Sequence, residues 1–463
     1  GAGSERAARG LPALLLMAAS VALAFVPPVA GIPLAAYAAV ALLLLGGMAA
    51  LPWLLGQLLR LVPQSLLRQP LALLPVERAR RMRRSTTVAV GGVVASLSLA
   101  VALTVMVASF RDSMIAWLDA VLPAPLYLRT AGSAGRADAA PLPADLAARI
   151  AALPGVQRAQ PMRSTSLWLS PDRPAVSLLL RPLHGPQGQQ LPWIQGPVQA
   201  PAGSTPVYIS EAVAQLYGVR PGQEWPLLAQ ALPSEDSRVF VAGIWRDYVR
   251  QFGAIAMDWD DYQQLAKGSA TTAGPTEIAI WPDGDDTATA QQLQARIQSL
   301  MTGPGAAQAL EFASSGALRE RSMRIFDRSF AVTYWLQAVA IGIGLFGIAA
   351  SFSAQVLARR KEFGLLAHLG LTRRDILAVV AGEGMAWTTA GAIAGSLLGL
   401  GVAVILVHVV NPQSFHWTME LSLPWSRLFA LAASVIAAGT LTAWLAGRTA
   451  AGREAVLAVK EDW

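Results

Sequence analysis

Long apolar stretches alternate with short arginine-rich stretches along most of this chain. Six of the apolar stretches are long enough to cross the roughly 30 Å core of a bilayer, which takes about 20 helical residues. They predict transmembrane helices near Gly10–Val26, Leu34–Leu54, Thr86–Phe110, Phe330–Val356, Leu377–His408 and Leu428–Ala446. We therefore expect a membrane protein whose spanning part is an all-α bundle of six helices.

The positions of the basic residues predict the orientation of these helices, because lysine and arginine accumulate on the cytoplasmic side. They flank alternate ends of the predicted spans and include Arg6, Arg9, Arg78, Arg80, Arg81, Arg83, Arg84, Arg448, Arg453 and Lys460. Both termini are then expected in the cytoplasm, with the chain in the inner membrane of a bacterium. Residues 111–325 are expected to be periplasmic or extracellular.

The region 111–325 has the composition of a folded domain. Alternating apolar runs predict strands at Ala175–Leu180, Val207–Ile209, Arg238–Ile244, Ala254–Met257 and Glu277–Trp281. Amphipathic runs predict helices near Ala144–Ala152, Glu211–Tyr217, Trp259–Leu265 and Thr289–Leu300. The sequence thus predicts a large α+β extracytoplasmic domain, inserted between spans three and four. The Pro/Gly-rich stretch Arg181–Thr205 is a candidate link between two lobes.

These features divide the chain into consecutive regions. The predicted divisions are two linker spans in 1–60, a cytoplasmic interfacial helix in 61–84, a span in 85–110, the domain in 111–325, three spans in 326–447 and a cytoplasmic tail in 448–463. The fifth apolar segment, 375–410, would measure about 54 Å as a helix. It is either one kinked helix or two short spans, and the absence of a polar turn sequence in Glu383–Ala390 favours one.

The segment Arg359–Ile376 joins the fourth and fifth spans on the predicted cytoplasmic side. Gly370 favours the end of a short amphipathic helix, and Thr372 with Asp375 forms a capping-box pattern for the next helix. Such an element offers a shaped surface to a cytoplasmic partner. The residues expected to carry this coupling role are Arg359, Arg360, Lys361, Glu362, Phe363, Leu366, Leu369, Gly370, Thr372, Arg373, Arg374 and Asp375.

Glycines recur within two of the predicted spans. Gly391, Gly395 and Gly399 form a GxxxGxxxG stripe, and the fourth span carries Gly342, Gly344 and Gly347; we take Gly342 and Gly347 with the stripe as candidate packing positions. Small residues at this spacing allow close helix packing, either within the chain or between two halves of a larger assembly. Glu383 is the one carboxylate well inside a predicted span, which marks either a functional group or a side chain that simply reaches the interface or a neighbouring backbone.

Composition excludes several classes of protein. The chain has 463 residues, of which 54% are hydrophobic and 14% charged, and it has no cysteine for disulfides or thiolate chemistry. Residues 112–325 carry 16 basic and 19 acidic side chains, whereas the rest carries 20 and 10. The excess of positive charge therefore follows membrane topology, and no nucleic-acid partner is expected.

Candidate catalytic and metal-binding groups are few. His184 and His416 lack neighbours at metal-ligand spacing, and Asp258, Asp260 and Asp261 fit the start of a helix better than a site. The dipeptide Gly-Lys does not occur, so the chain has no Walker A motif. We expect no catalytic residue, no metal site and no cofactor in this chain, which would not be an enzyme by itself.

The stretch Arg359–Leu366, followed by Leu369-Gly370 and Arg373–Ile376, resembles the signature of the FtsX-like (MacB-like) permease domain of ABC transporters. Glu383 matches an acidic position usual in that family, and Arg453–Ala458 resembles its closing segment without the usual proline. The resemblance covers about residues 80–460. The first two spans resemble the middle helices of ten-span members, so the chain is expected to be the second half of a fused permease.

The resemblance implies partners and a mechanism. The expected partners are a cytoplasmic ABC ATPase dimer, which binds ATP and Mg²⁺, a second permease half, and an exported protein or lipid cargo. The implied function is to move or extract a lipid-like, lipoprotein or hydrophobic cargo by mechanotransmission. The alternative is a non-transporting transmitter that activates or docks an exported hydrolase. A secondary transporter that uses Glu383 is a third hypothesis, although midplane ion sites are not evident.

Overall fold

The computed structural model describes residues 2–29, 31–60, 83–130, 141–185, 188–234, 237–267, 274–284, 287–300, 310–358, 362 and 370–450. The chain forms two compact units. Unit 1 comprises Gly1–Phe110, Arg328–Ser414 and Met419–Trp463. Unit 2 comprises Arg111–Asp327 together with the short segment Phe415–Thr418.

The helices follow the predicted apolar segments closely. In chain order they are α1 (Ala2–Ala24), α2 (Leu34–Arg60), α3 (Arg83–Val121), α4 (Leu146–Ala151), α5 (Glu211–Tyr217), α6 (Pro226–Ala231), α7 (Trp259–Leu265), α8 (Thr287–Leu300), α9 (Ser315–Ala358), α10 (Arg373–Ile405), α11 (Asn411–Phe415) and α12 (Trp425–Ala450).

Among the residues that the structure describes, five helical segments are long and apolar enough to span a membrane. They are Leu34–Leu54, Val90–Val121, Ser315–Val356, Arg373–Phe415 and Trp425–Arg448. The apolar part of α1, Leu11–Ala24, is shorter than the other five. Five of the six predicted spans are therefore confirmed by length and composition, and the first remains a prediction.

The overlong fifth segment is one continuous helix. A π-helical turn, Leu406–Val410, joins α10 to α11, so the helix changes its winding and continues without an intervening loop. The prediction of one long irregular helix, in preference to two short spans, is confirmed.

Unit 2 is built on a nine-stranded sheet. Its strands are β1 (Leu126–Thr130), β2 (Val156–Leu167), β3 (Val176–Arg181), β4 (Trp193–Gln195), β5 (Thr205–Ser210), β6 (Val239–Trp245), β7 (Ala254–Asp258), β8 (Glu277–Pro282) and β9 (Leu310–Ser314). Their order is β4-β6-β5-β7-β3-β2-β8-β1-β9. All five predicted strands and all four predicted helices are present, which confirms the α+β class.

The predicted link between two lobes is wrong. The long strand β2 pairs with β8 through Val156–Met162 and with β3 through Arg163–Leu167, so it connects the two halves of the sheet. One apolar cluster packs on β3, β5, β6 and β7, and another packs on β1 and β8. The stretch Arg181–Thr205 contains β4, which pairs with β6 at one edge of the sheet. The Pro and Gly residues of this stretch therefore form loops within one half of the sheet. The hydrogen-bonded strand β2 is what connects the two halves.

Several predicted elements lie outside the described residues. They are the interfacial helix for all but its last two residues, most of the amphipathic helix in the coupling segment (359–361 and 363–369), and the tail from residue 451 onward.

Candidate functional site

The start of α10 has the predicted local geometry. Gly370 adopts a φ of 94°, which L side chains rarely occupy, and Thr372 is the N-cap residue. The Thr372 hydroxyl lies 3.3 Å from the Asp375 backbone nitrogen, from which it accepts a hydrogen bond. Asp375 Oδ2 accepts hydrogen bonds from the Thr372 nitrogen at 2.9 Å and from its hydroxyl at 2.6 Å. The capping box is complete, and it fixes where the helix begins.

The charged residues of this segment face outward where the structure describes them. Arg373, Arg374 and Glu362 are exposed, whereas Ile376 is buried in the core of unit 1. The helix start thus presents basic side chains on one side and anchors itself with an apolar residue on the other. The remaining predicted coupling residues, Arg359, Arg360, Lys361, Phe363, Leu366 and Leu369, lie outside the described residues.

The glycine stripe of α10 lies against α3 of the same chain. A Cβ atom at Gly391 would lie 2.8 Å from Val90 Cγ1, and one at Gly399 would lie 2.6 Å from the Ser98 carbonyl oxygen. At Gly395 the nearest atoms, from Leu97 and Val94, would be 3.3 Å away. Close approach of the two backbones therefore requires glycine, which favours packing within the chain for this stripe.

The glycines of α9 behave differently. No atom of the described residues lies within 4 Å of a Cβ built at Gly342 or Gly347, whereas one built at Gly344 would lie 2.0 Å from Ser96 Oγ on α3. Within the described residues, no close neighbour supports packing of Gly342 or Gly347 inside the chain, whereas Gly344 has such a contact; packing of the other two against a second permease half stays a prediction. Gly344 follows Gly342 by two residues and Gly347 follows Gly344 by three, so the three positions do not share one face of the helix.

Glu383 is buried within unit 1, at 7% exposure. It lies one turn before Trp387, which is fully buried in the apolar core of the same unit. Next to it, a Cβ at Gly384 would lie 2.3 Å from Ala443 Cβ on α12. Glu383 is thus part of a tightly packed helix pair, and the hypothesis that it merely reaches the membrane interface is disfavoured.

The segment Phe415–Thr418 lies in the chain between two helices of unit 1, yet it belongs to unit 2. The Glu211 carboxylate accepts hydrogen bonds from the Thr418 nitrogen and from the Thr418 hydroxyl, both at 2.8 Å. The Tyr248 hydroxyl donates to the Thr418 carbonyl oxygen at 3.1 Å. We call the contacts among Glu211, Tyr248, Trp417 and Thr418 the Thr418 anchor.

Aromatic rings pack beside the Thr418 anchor. The Tyr248 ring contacts Trp417 edge-on, with centroids 4.8 Å apart, and contacts Trp117 at 6.0 Å. Trp117 Nε1 donates to the Arg246 carbonyl oxygen at 2.9 Å. Burial raises the pKa of the Tyr248 phenol, so its hydroxyl keeps its proton and remains a donor. Glu211 is 8% exposed, and such a buried carboxylate needs the two donors that Thr418 supplies.

The backbone at His416 directs the next two residues into this site. His416 has a φ of 60°, a left-handed conformation that is uncommon for a residue other than glycine. It follows directly after α11 and precedes Trp417 and Thr418. The surrounding contacts therefore stabilise a backbone conformation that is costly on its own.

The sequence prediction that His184 lacks metal-ligand neighbours is wrong. His184 Nδ1 lies 3.7 Å from Asp258 Oδ2 and 3.7 Å from Asp261 Oδ2. The pairing of β3 with β7 brings the three residues together, although 74 positions separate His184 from Asp258. The predicted helix start is confirmed, with Asp258 as its N-cap, since Asp258 Oδ1 accepts a hydrogen bond from the Asp260 nitrogen at 2.8 Å. Burial raises the pKa of the Asp261 carboxyl, His184 opposes this rise, and the neighbouring carboxylates add to it.

Sequence reasoning missed the Thr418 anchor entirely. Glu211 and Thr418 are separated by 207 positions, and neither lies in a motif. In the sequence, Glu211 follows Ser210 at the start of a predicted helix. An acidic residue is common at that position, so the sequence offered no reason to expect a distant partner.

Comparison with known proteins agrees with these observations. Residues 336–455, which include the helix start and the glycine stripe, match the model of the FtsX-like permease C-terminal family. An uncharacterised ABC transporter permease protein of Mycobacterium tuberculosis is 26% identical over 380 residues, which are 78% of this chain and 42% of that protein. The chain therefore spans less than half the length of that relative.

Two solved structures are similar to part of the chain. The periplasmic region of MacB from Actinobacillus actinomycetemcomitans matches 43% of this chain and 92% of its own length, at 12% identity and a TM-score of 0.31. The extracellular domain of the noncanonic ABC-type transporter YknZ from Gram-positive bacteria matches 41% of this chain and 99% of its own length, at 13% identity and a TM-score of 0.28.

The described residues contain several helices long and apolar enough to span a membrane, together with a sheet-rich α+β domain. Its residues 336–455 match the FtsX-like permease C-terminal family, and the chain is similar to an ABC transporter permease protein.

Proposed function

We propose that this chain is the permease subunit that couples a separate cytoplasmic ATPase to its own extracellular domain. In this proposal both termini and the segment Arg359–Ile376 lie in the cytoplasm, where the ATPase dimer binds ATP and Mg²⁺. The cargo is a lipid-like, lipoprotein or otherwise hydrophobic molecule, which the domain moves or extracts by mechanotransmission.

The Thr418 anchor is the observation that carries this proposal. The segment that connects the last two spanning helices is held by Glu211 and Tyr248 of the domain. A displacement of α10 or α12 along its axis would therefore pull directly on the domain. The helices α3 and α9 each continue without a break from a spanning segment into residues assigned to unit 2. Three connections of this kind favour mechanical transmission.

The polarity of the spans also supports transmission in preference to a solute channel. Apart from Glu383 and His408, the predicted spanning segments carry few ionisable groups. The buried amide of Gln337 donates to the Thr104 hydroxyl at 2.6 Å and to the Ala100 carbonyl oxygen at 2.9 Å, so it joins α9 to α3. This contact between two buried polar side chains, Gln337 and Thr104, holds α9 against α3.

Assembly with the ATPase tests the cytoplasmic half of the proposal. The full chain is co-expressed with the ABC ATPase encoded nearest to it, and the complex is purified in nanodiscs. Charge reversal at Arg373 and Arg374 to Glu is expected to weaken the complex and lower ATPase stimulation. Arg427→Glu is the control. This exposed arginine lies in the first turn of α12 and outside the segment Arg359–Ile376. Failure to form any complex, or an equal loss with the control, would contradict the proposal.

A second experiment separates transport from the alternative, activation of an exported hydrolase. The purified complex is incubated with ATP, and the released and retained molecules are identified by mass spectrometry. ATP-dependent release of a co-purified lipid or lipoprotein supports transport. An exported hydrolase that binds stoichiometrically and is activated without any released cargo supports the alternative.

A further inference from the structure

A cluster of three ligand-type side chains lies at one edge of the sheet of unit 2. The parallel strands β3 and β7 pair in register, with Arg181 opposite Asp258 at their carboxyl ends. His184 follows β3, and Asp258 ends β7 and is followed one helical turn later by Asp261. Residues that follow adjacent parallel strands meet in a crevice at the carboxyl edge, which is where such sheets commonly bind ligands.

The distances in this cluster suit a shared cation better than direct hydrogen bonds. His184 Nδ1 is 3.7 Å from each of the two Oδ2 atoms, and the three atoms all lie within 4.8 Å of one another. A hydrogen bond between such atoms would be about 2.7–3.2 Å long. Two ligands of a tetrahedral zinc ion with bonds of about 2.0–2.1 Å lie about 3.4 Å apart. The two His184 distances exceed this value by about 0.3 Å, and the two carboxylate oxygens, which lie within 4.8 Å of each other, would also move closer to form the site.

One oxygen of the cluster lacks a donor. Asp261 Oδ2 is buried and accepts no hydrogen bond from any residue that the structure describes. Asp258 Oδ2 is instead oriented by the backbone nitrogens of Leu183 and His184, at 2.7 and 3.0 Å. A buried carboxylate oxygen without a donor is costly, and a metal ion would satisfy it.

The second ring nitrogen of His184 has the partner that a metal ligand needs. His184 Nε2 lies 3.3 Å from the Tyr208 hydroxyl. If Nε2–H donates to the phenol oxygen, Nδ1 keeps its lone pair and points to the two carboxylates; this tautomer is assigned from the contacts. The His184 side chain is 48% exposed and that of Asp261 27%, so an ion can enter from solvent.

We propose that His184 Nδ1, Asp258 Oδ2 and Asp261 Oδ2 bind a divalent transition-metal ion, with Zn²⁺ as the reference ion, on the extracellular domain. One imidazole and two carboxylates suit Zn²⁺ and its first-row neighbours, and a water molecule completes a tetrahedral site. The ion cross-links the loop after β3 to the start of α7, in a domain that has no cysteine for a disulfide.

The test uses the full-length chain in detergent, free of affinity tags and stripped with EDTA. Zinc stoichiometry is measured by mass spectrometry after desalting, and affinity by calorimetry, with Co²⁺ absorption as a report of ligand geometry. The variants are His184→Gln and Asp261→Asn, because both side chains are partly exposed and neither caps a helix. Asp258 is left intact, since its loss would also remove the cap of α7. Circular dichroism confirms that each variant keeps its secondary structure.

Asp260→Asn and His416→Gln are the matched controls, since they make the same chemical changes outside the cluster. We expect one zinc ion per chain, and an affinity at least about tenfold weaker in each cluster variant, with both controls unchanged. A folded wild-type chain that binds no stoichiometric zinc would overturn the proposal. So would equal binding by His184→Gln and Asp261→Asn, or a loss of binding with His416→Gln.

Discussion

Two carboxylates of this protein each hold one threonine by the same two groups. Asp375 accepts hydrogen bonds from the nitrogen and hydroxyl of Thr372, and Glu211 accepts them from the nitrogen and hydroxyl of Thr418. The first pair is three positions apart and exposed at a helix start, whereas the second is 207 positions apart and part-buried. Identical chemistry therefore sets a local helix boundary in one place and ties distant parts of the chain together in the other.

The environment decides how much each pair contributes. Water competes for the exposed Thr372 and Asp375 groups, so the loss of their contacts is partly compensated. The Thr418 donors are part-buried and bind the buried Glu211 carboxylate, so a lost acceptor would leave part-buried donors unpaired. The exposed pair is expected to fray easily, and the Thr418 anchor is expected to remain closed.

The largest expected effect comes from Glu211→Ala. The substitution removes the acceptor of both Thr418 donors, and hydrogen bonds to charged groups contribute about 1.5–3 kcal/mol. We expect this decrease in the free energy of local opening, measured by hydrogen exchange of the peptide that spans 411–424 in the full-length protein. Exchange at the wild-type rate in that peptide would show that the Thr418 anchor does not hold the segment.

Tyr248→Phe should have an intermediate effect. The ring contacts with Trp417 and Trp117 remain, and only the hydroxyl donor to the Thr418 carbonyl oxygen is lost. The expected decrease in the free energy of opening is about 1 kcal/mol, seen in the same peptide. A decrease as large as that of Glu211→Ala would indicate that the ring packing has also changed, and Tyr248→Leu would then separate the two contributions.

Thr372→Ala tests the exposed pair. The substitution removes the cap of α10, and we expect exchange of the first turn to become about fivefold faster, with no change in the 411–424 peptide. The two peptides serve as controls for each other. Accelerated exchange at both ends of the helix would contradict the view that this pair acts locally.

The smallest effect is expected from Glu224→Ala. Glu224 pairs with Arg238 on the surface of unit 2, with side chains 45% and 59% exposed. Exposed ion pairs contribute little, so exchange should stay within about twofold of the parent. This variant is therefore a matched control for Glu211→Ala, because it removes the same type of side chain from the same domain.

The difference between the pairs also explains what sequence could predict. Gly370, Thr372 and Asp375 lie within six positions, so local rules were sufficient to predict the helix start. The spans and the strands β3, β5, β6, β7 and β8 were predictable because their apolar periodicity is local. Glu211 with Thr418, and His184 with Asp258 and Asp261, depend on pairing between strands and on the path of a distant loop.

Glycine positions show the same limit in the membrane part. The stripe on α10 has a regular spacing that predicts one face, and that face does lie on α3. On α9 the spacing was irregular, and only the packing of Ser96 against Gly344 distinguishes that position from Gly342 and Gly347. Contact between helices depends on rotation about their axes, which composition does not determine.

The central claim is that the Thr418 anchor transmits the ATPase cycle to the extracellular domain. The chain has no cysteine, so Pro28→Cys in unit 1 and Asp172→Cys in unit 2 allow clean spin labelling at two exposed positions. In nanodiscs with the ATPase, the distance distribution between the labels is measured by pulsed electron resonance, with and without ATP and vanadate. We predict a shift on nucleotide trapping that is lost with Glu211→Ala and retained with Glu224→Ala. An unchanged shift in Glu211→Ala would contradict the claim.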